Sequence, residues 1–309
     1  MRFYFAPMEG LTDAGYRQLH HQFFPGVHSY YMPFFSPTIH RTLTPRESRE
    51  LPRADSVPFR AVPQVMTKNP QDFLWAAQVC RDLGYDEINL NVGCPSGTVV
   101  AKGKGAGLLR DLTALEALLE EIFPHSPLPI SIKTRIGVED PGEFPAILQL
   151  YNRYPIHELT VHPRVRKAFY AGSVDMDAFR FAYGQSQNPL CYNGDLRSAG
   201  QAQRIRQEFP QVESVMLGRA LIGNPGMLTP GWSMSQLEQF CDELLCMYRV
   251  RFGSSRNAMF RMKEQWGMLL PNFAGSEKLG KKLRKCTDFE EYRRITQEIF
   301  DTLPWQPVE

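Results

Sequence analysis

No Cys-x-x-Cys pair and no zinc-like Cys/His spacing occurs among the six cysteines, at 80, 94, 191, 241, 246 and 286. That absence argues against a metal site or a disulfide framework and for free thiols in a reducing compartment. Nor is there a run of about 18 apolar residues, so no membrane-spanning helix is expected. The opening MRFYFAPMEG carries one basic residue and too short an apolar run for a secretory leader, so the expected location is the cytoplasm. A large net charge is missing too, since 35 Lys and Arg against 33 Asp and Glu leave +2 over 309 residues. Bulk charge therefore names no partner, and any nucleic-acid surface has to be a local patch. No GxGxxG turn follows an early strand, which counts against a doubly wound dinucleotide-binding sheet.

What the chain has is an alternation. Strand-like runs at 3–6, 29–34, 59–65, 87–92, 129–135, 158–162, 189–192 and 214–217 are separated by helical patterns at 13–22, 70–83, 111–123, 142–153, 175–183 and 198–209. Eight such strands in about 220 residues are the signature of an α/β protein built as a (β/α)8 barrel. After Gly231 the strand pattern stops. Amphipathic helices are expected at 235–251, 256–270 and 289–303. The chain thus divides into a barrel at 1–231 and a small all-helical domain at 232–309. Within the latter, KLGKKLRK at 278–285 has five basic residues in eight and no acid. A solvated face and a phosphate contact both fit such a run.

Chemistry in this fold collects where strands end, and the strand ends here are polar. They offer Pro7, Met8 and Glu9, then Gln64, then Asn89, Asn91 and Cys94. Lys133 and Arg135, His162 and Arg164, Asn193-Gly194-Asp195, and Gly218-Arg219 follow in turn. The turns after the last two strands are the usual phosphate grip of a barrel. Glycine admits the backbone N–H groups to an oxyanion, and Arg219 can add a bidentate contact. A buried lysine such as Lys133 is expected to face an anion. Gln64 and Asn91 carry donors and acceptors suited to the imide edge of a flat heterocycle. Such a floor fits FMN better than a sugar phosphate. The fourth strand runs into EINLNVGCPSGTVVAKGKGAGLL at 87–109, with one cysteine and two lysines on a glycine-rich loop expected to be exposed and mobile. A buried small hydrophobe and a reactive thiol both remain open for Cys94 on these grounds.

Taken in order, APMEGLTD at 6–13, NLNVGCPSGTVVAKGKGAGLL at 89–109, KTR at 133–135, VHPR at 161–164, YAG at 170–172, NGD at 193–195 and LGR at 217–219 resemble the tRNA-dihydrouridine synthases. The resemblance implies reduction of the C5=C6 bond of a uridine in tRNA by reduced FMN, with NADPH or NADH as the electron donor; a monomer is expected separately. It also assigns residues. Pro7, Met8, Glu9 and Gln64 would line the flavin, with Lys133 and His162 on its ring and tail. Asn193, Gly194, Asp195, Gly218 and Arg219 would hold its phosphate. Asn91 and Arg135 would lie by the uracil, and Cys94 would give the proton to C5. Lys102, Lys104, Arg164, Arg166, Lys281, Lys282, Arg284 and Lys285 become candidate RNA contacts. One departure is Pro163, where the family has glycine; it removes a main-chain N–H.

Two other classes fit parts of the same pattern. A flavin reductase of a small pyrimidine or enone, dihydroorotate-dehydrogenase-like, would not need residues 232–309. A non-catalytic RNA-binding protein on the same scaffold would be colourless when purified.

Overall fold

The computed structural model describes residues 1–307. Among these, nine parallel strands follow in chain order: β1 Arg2–Phe5, β2 Ser29–Tyr31, β3 Arg60–Val62, β4 Gln64–Val65, β5 Ile88–Val92, β6 Ile130–Arg135, β7 Leu159–His162, β8 Leu190–Tyr192 and β9 Ser214–Leu217. Side by side they run β3-β2-β1-β9-β8-β7-β6-β5-β4. The two ends of that order are one stretch of chain, parted only by Pro63. Proline offers no N–H to the ladder. The carbonyls of Val62 and Pro63 nevertheless accept from Met32 and Asn89 N–H, on opposite sides, at 2.9 Å each. Nine strands therefore make eight staves, and the sheet closes into a TIM barrel with helices outside.

Local chemistry sets the helix starts. Asp13 accepts from Tyr16 N–H at 3.0 Å, Asn69 from Asp72 N–H at 3.1 Å with Pro70 in the first position, and Ser198 from Gln201 N–H at 3.2 Å. The structure departs from the sequence pattern after β2, which stops at Tyr31 rather than Phe34. The chain then makes an excursion carrying a short helix, Pro45–Glu50, started by a capping box between Thr44 and Glu47.

Two-residue alternation sorts the side chains of each stave. Ile88, Leu90 and Val92 of β5 join the core shared with the surrounding helices. Between them, Asn89 and Asn91 bond to Gln64 and Ser131 of the neighbouring staves. The barrel interior is thus unusually polar. Its apolar part is a separate small cluster of Tyr4, Ala6, Tyr31, Val62, Cys191 and Met216.

From Met234 onward the chain is helical, with helices Met234–Phe252, Ser255–Leu269, Glu277–Lys285 and Phe289–Thr302. This segment docks directly on the barrel. Phe240 packs against Tyr16, Phe23 and Phe24, with ring centroids at 5.6, 5.9 and 5.3 Å. Arg251 pairs with Asp13 at 2.8 Å and Glu50 at 3.0 Å, and Gln265 donates to the Leu11 carbonyl at 2.8 Å. One apolar cluster runs from Phe5 to Ile299. Phe240→Ala opens a cavity at this seam and is expected to destabilise the whole chain by about 3–5 kcal/mol. Urea unfolding followed by fluorescence checks it; a loss below about 1 kcal/mol would mean that the seam carries little of the stability.

Candidate active site

The C-terminal ends of the staves surround a cavity of about 360 Å³. Its walls include Pro7, Met8, Lys133, His162, Asn193, Gly194, Asp195, Gly218 and Arg219, nine residues picked out by the sequence pattern. Ala6, Met216 and Leu217 give it an apolar side. Two wall glycines are constrained by what they touch. A Cβ on Gly194 would come within 2.7 Å of Val174, and one on Gly218 within 3.3 Å of Met8 and 3.4 Å of Ala6.

One end of the cavity is cationic. Arg164 is only 3% exposed and grips Asp195 with both terminal nitrogens, Nη1 lying 2.9 Å from Oδ1. Arg219 reaches the same Oδ1 at 3.1 Å and lies 4.7 Å over the ring of Tyr170. Burial alone would raise the Asp195 carboxyl, but the bonds and charges of Arg164 and Arg219 hold it below the usual range. Asp195 takes a left-handed backbone with φ of 40°, a conformation that aspartate tolerates better than most residues. Arg197 adds a further cation to the wall.

In the middle stands Lys133, whose Nζ donates to Asn193 Oδ1 at 2.7 Å. Burial and the neighbouring Arg135 lower its amine to about 8. His162 is pushed far below its ordinary value by burial, then by Lys133, Arg135, Arg164 and Arg219, so it is neutral. Arg164 Nη1 lies 3.2 Å from His162 Nε2. An arginine can only donate, so Nε2 is the accepting nitrogen and Nδ1 carries the proton. A cationic end, a polar centre and an apolar side together fit a phosphorylated, flat, partly apolar ligand such as FMN.

Cys94 is not among the walls of this cavity; it is half-buried on the turn that follows β5, near enough to the wall residue Lys133 for that charge to act on its thiol. Burial is the largest influence on its thiol and raises it. A backbone bond from Ser96 and the charges of Arg135 and Lys133 oppose that, and Glu9 reinforces it. The thiol is therefore protonated at neutral pH. The first part of the loop behind it is exposed at Gly97, Thr98, Ala101 and Lys102, but the second part is not. Gly105 to Leu109 are buried in a 3-10 turn, and Ala106 N–H donates to the Cys94 carbonyl at 3.1 Å. Gly105, with φ of 55°, lies so close that a Cβ would meet Cys94 Cβ at 2.9 Å. These glycines serve close packing against the cysteine.

Several predicted site residues stand elsewhere. Gln64 is fully buried, and both ends of its amide are used by Asn89 and Asn91. The Asn91 carbonyl accepts from Gly93 and Cys94 N–H at 3.0 and 2.9 Å. Arg135 is buried and donates to the carbonyls of Gly93, Val165 and Phe169 at 3.0, 3.0 and 2.7 Å, tying the loop after β5 to the loop after β7. Glu9 faces a second cavity of about 880 Å³ and pairs with Arg46. Arg164, expected to meet RNA phosphate, is inside the molecule behind Asp195. Arg166 is half-buried on the loop after β7, its Nε donating to the Pro95 carbonyl at 3.3 Å. Lys102 is exposed and Lys104 half-buried on the loop beside Cys94. The last four basic candidates, Lys281, Lys282, Arg284 and Lys285, are exposed on one helix whose Leu279, Gly280 and Leu283 face inward.

Other wall residues do not stand out in the sequence. Arg197 has a local signal, since it follows the NGD turn by two positions. Gly267, Met268, Pro271 and Asn272 also line the cavity. They come from the helical segment, and nothing local in the sequence marks an approach made across so long a separation.

The dihydrouridine synthase family model matches residues 4–301. A probable tRNA-dihydrouridine synthase from Rhizobium leguminosarum bv. phaseoli is 30% identical over 288 residues, 89% of this chain and 88% of the relative. The tRNA-dihydrouridine synthase B of Proteus vulgaris is 27% identical over 238 residues, 77% of this chain and 71% of the relative. Among solved structures, a variant of NCR from Zymomonas mobilis aligns with a TM-score of 0.53 at 12% identity, over 78% of this chain and 86% of that one. Histamine dehydrogenase from Rhizobium sp. 4-9 aligns with a TM-score of 0.57 at 12% identity, over 86% and 49%. At such identity the two structures speak for the barrel fold alone. The family match takes in the barrel and the docked helices together, and with it the chain belongs to the tRNA-dihydrouridine synthase family.

Proposed function

We propose that the protein reduces the C5=C6 bond of a uridine in tRNA to 5,6-dihydrouridine, with FMN at the barrel mouth, NADPH or NADH as the electron donor and Cys94 as the proton donor. The observation that carries this reading is a cavity with a cationic end and a polar floor, with a thiol kept protonated on the adjoining turn, within reach of the charge of the wall residue Lys133. When bound and reduced, FMN supplies two electrons and one hydrogen to C6 of the uracil.

The chain's own residues do the rest. Arg219 and the backbone around Gly194 and Gly218 would hold the phosphate, with Arg164 keeping Asp195 in place. Pro7, Met8 and Ala6 would pack on the ring system. Lys133 would face its electron-rich edge, and His162, neutral, would donate from Nδ1. At Cys94 the S–H bond breaks as the C5–H bond forms. The thiolate left behind lies close to the positive charges of Arg135 and Lys133 and regains a proton from solvent. Arg135 and Asn91 hold the two loops that frame the base rather than offering free donors to it.

A uridine inside folded RNA has to be turned out of its stack to reach this mouth. Lys102, Lys104 and Arg166 stand on the loops after β5 and β7, which such a strand would cross. The exposed face of helix Glu277–Lys285 supplies a second basic patch, suited to recognition by shape and backbone charge. One chain completes the site, so the working unit is proposed to be a monomer. Deleting 232–309 does not separate this reading from a small-molecule reductase, because Gly267, Met268, Pro271 and Asn272 wall the cavity itself. Substitutions on the basic face do separate them.

Cys94→Ala is expected to keep its flavin yet lose about 100-fold or more in dihydrouridine formation. Dihydrouridine mapping of RNA from a deletion strain complemented with either form reads this directly. Full restoration by Cys94→Ala would remove the proton-donor role, and an unchanged map after deletion would remove the substrate.

An anion beside Lys133 raises its amine again from about 8. The bound state then holds more protons than the free one. Binding of reduced FMN, whose ring edge carries the negative charge, should take up a proton near that pH, and affinity should fall as pH rises through the bound-state value. Calorimetry in two buffers of different ionisation enthalpy measures the uptake, which Lys133→Met should abolish. Binding without proton uptake in the wild type would place Lys133 away from the anion.

Replacing Lys281, Lys282 and Lys285 by Ala should weaken tRNA binding and flatten its log–log salt dependence by about one unit for each lysine that pairs with a phosphate. An unaltered slope would return this helix to a merely solvated face.

A further inference from the structure

Glu87 is a buried carboxylate for which the proposed chemistry has no use. It is 2% exposed and immediately precedes β5, at the end of the barrel opposite the mouth. Arg60 Nη2 donates to its Oε2 at 2.7 Å, and the Tyr31 hydroxyl to Oε1 at 3.3 Å. Ser131 also donates to Oε1.

From Ser131 a line of hydrogen bonds leads to the mouth. Asn89 Nδ2 donates to Ser131 Oγ at 2.8 Å, Gln64 Nε2 to Asn89 Oδ1 at 2.7 Å, and Asn91 Nδ2 to Gln64 Oε1 at 2.8 Å. It ends at Asn91 Oδ1, which accepts from Gly93 and Cys94 N–H at 3.0 and 2.9 Å. Asn89 is the direct ladder partner of both Gln64 and Ser131, so most of the line lies in one layer of the barrel.

The direction of this line is fixed alike at its two ends, by a carboxylate that only accepts and by two main-chain N–H groups that only donate. A carboxylate only accepts, so the single Ser131 proton is committed to Glu87. Ser131 must then accept from Asn89. Each amide has one donating and one accepting end, so the choice passes along unchanged. At the mouth it turns the Asn91 carbonyl, not its NH2, toward the two N–H groups of the cysteine turn. We propose that Glu87 is a positioning residue for Cys94, setting through Ser131, Asn89, Gln64 and Asn91 the hydrogen-bond direction of the turn that carries the thiol. The proposal rests on the reading of Cys94 as proton donor.

Substitution separates direction from packing. In Glu87→Gln the new amide keeps its oxygen toward Arg60, which only donates, and turns its NH2 to Ser131. The far end then drives the line in reverse against the N–H groups of residues 93 and 94, which still call for the Asn91 carbonyl, and the conflict falls on the turn that carries Cys94. Ser131→Ala cuts the line without reversing it, and Ser131→Thr keeps the hydroxyl. Alkylation by iodoacetamide, followed residue by residue by mass spectrometry, reads the position of Cys94 without needing flavin or activity. Exposed Cys246 is the internal control.

Glu87→Gln is expected to change the Cys94 rate by about 5-fold or more, leave Cys246 unchanged, and lower kcat with KM nearly constant. Glu87→Gln with Ser131→Ala should behave as Ser131→Ala alone, and Ser131→Thr should behave as wild type. Wild-type alkylation of Cys94 in Glu87→Gln, or effects that simply multiply in the double variant, would overturn the proposal. If Glu87→Gln fails to fold, Ser131→Ala decides, and a wild-type Cys94 rate there overturns it as well. Failure of the proton-donor reading itself would look different: Cys94→Ala would remain active while the alkylation shift persisted.

Discussion

A polar group shut inside the barrel must find a partner there, and the rest of the site depends on how that demand is met. Barrels of this kind are usually filled by branched apolar side chains. Here Gln64, Asn89, Asn91, Ser131 and His162 are buried within the ring of staves, with Lys133 half-buried beside them. Each would be costly if left unpaired. Pairing them leaves little freedom of rotation, so the floor beneath the mouth is stiff before any ligand arrives. The apolar core that holds the fold together lies outside the staves and is shared with the helices. Stability and chemistry are thus placed on opposite faces of the same strands.

Arginine carries the same logic to the loops. Arg135 spends its guanidinium on three main-chain carbonyls from two loops. Phe169, one of the acceptors, has φ of 49°, a costly backbone for an aromatic residue. The bond from Arg135 and the cation of Arg166, 5.2 Å over the Phe169 ring, hold it there. Arg164 does the corresponding work for Asp195. These residues look in the sequence like groups that reach out to a nucleic acid. Buried among carbonyls and a carboxylate, Arg135 and Arg164 shape the mouth from within.

The barrel is legible in the sequence because its signals are local. Strand alternation, N-caps at Asp13, Asn69 and Ser198, and polar strand ends each need only a few neighbouring residues. The helix Pro45–Glu50 is marked by nothing beyond its Thr44/Glu47 capping box, too short a signal to stand out from the surrounding polar chain. Whether a polar side chain at a strand end faces a ligand or another side chain is not a local property. Gln64 and Arg219 carry the same kind of signal. Only the register of the staves, which pairs Gln64 with Asn89, decides that one is consumed internally while the other lines the cavity. The contribution of Gly267, Met268, Pro271 and Asn272 depends on how the helical segment docks, and the sequence marks that dock by apolar spacing alone.

The electrostatics of Cys94 follow from the same arrangement. Lysine and arginine close to a thiol ordinarily favour the thiolate. Here burial outweighs them, and Glu9 acts in the same sense as burial. The resting thiol therefore keeps its proton. In the proposed transfer, the charge left by that proton would appear beside Arg135 and Lys133, which are fixed and already desolvated. Their attraction is felt fully only by the thiolate, so it favours the state after transfer over the state before it. Preorganised charge that acts on the developing anion lowers a barrier, whereas charge that ionised the resting group would discard the proton that the proposed reaction needs. A mouth rich in cations and an acid that stays protonated are compatible for that reason.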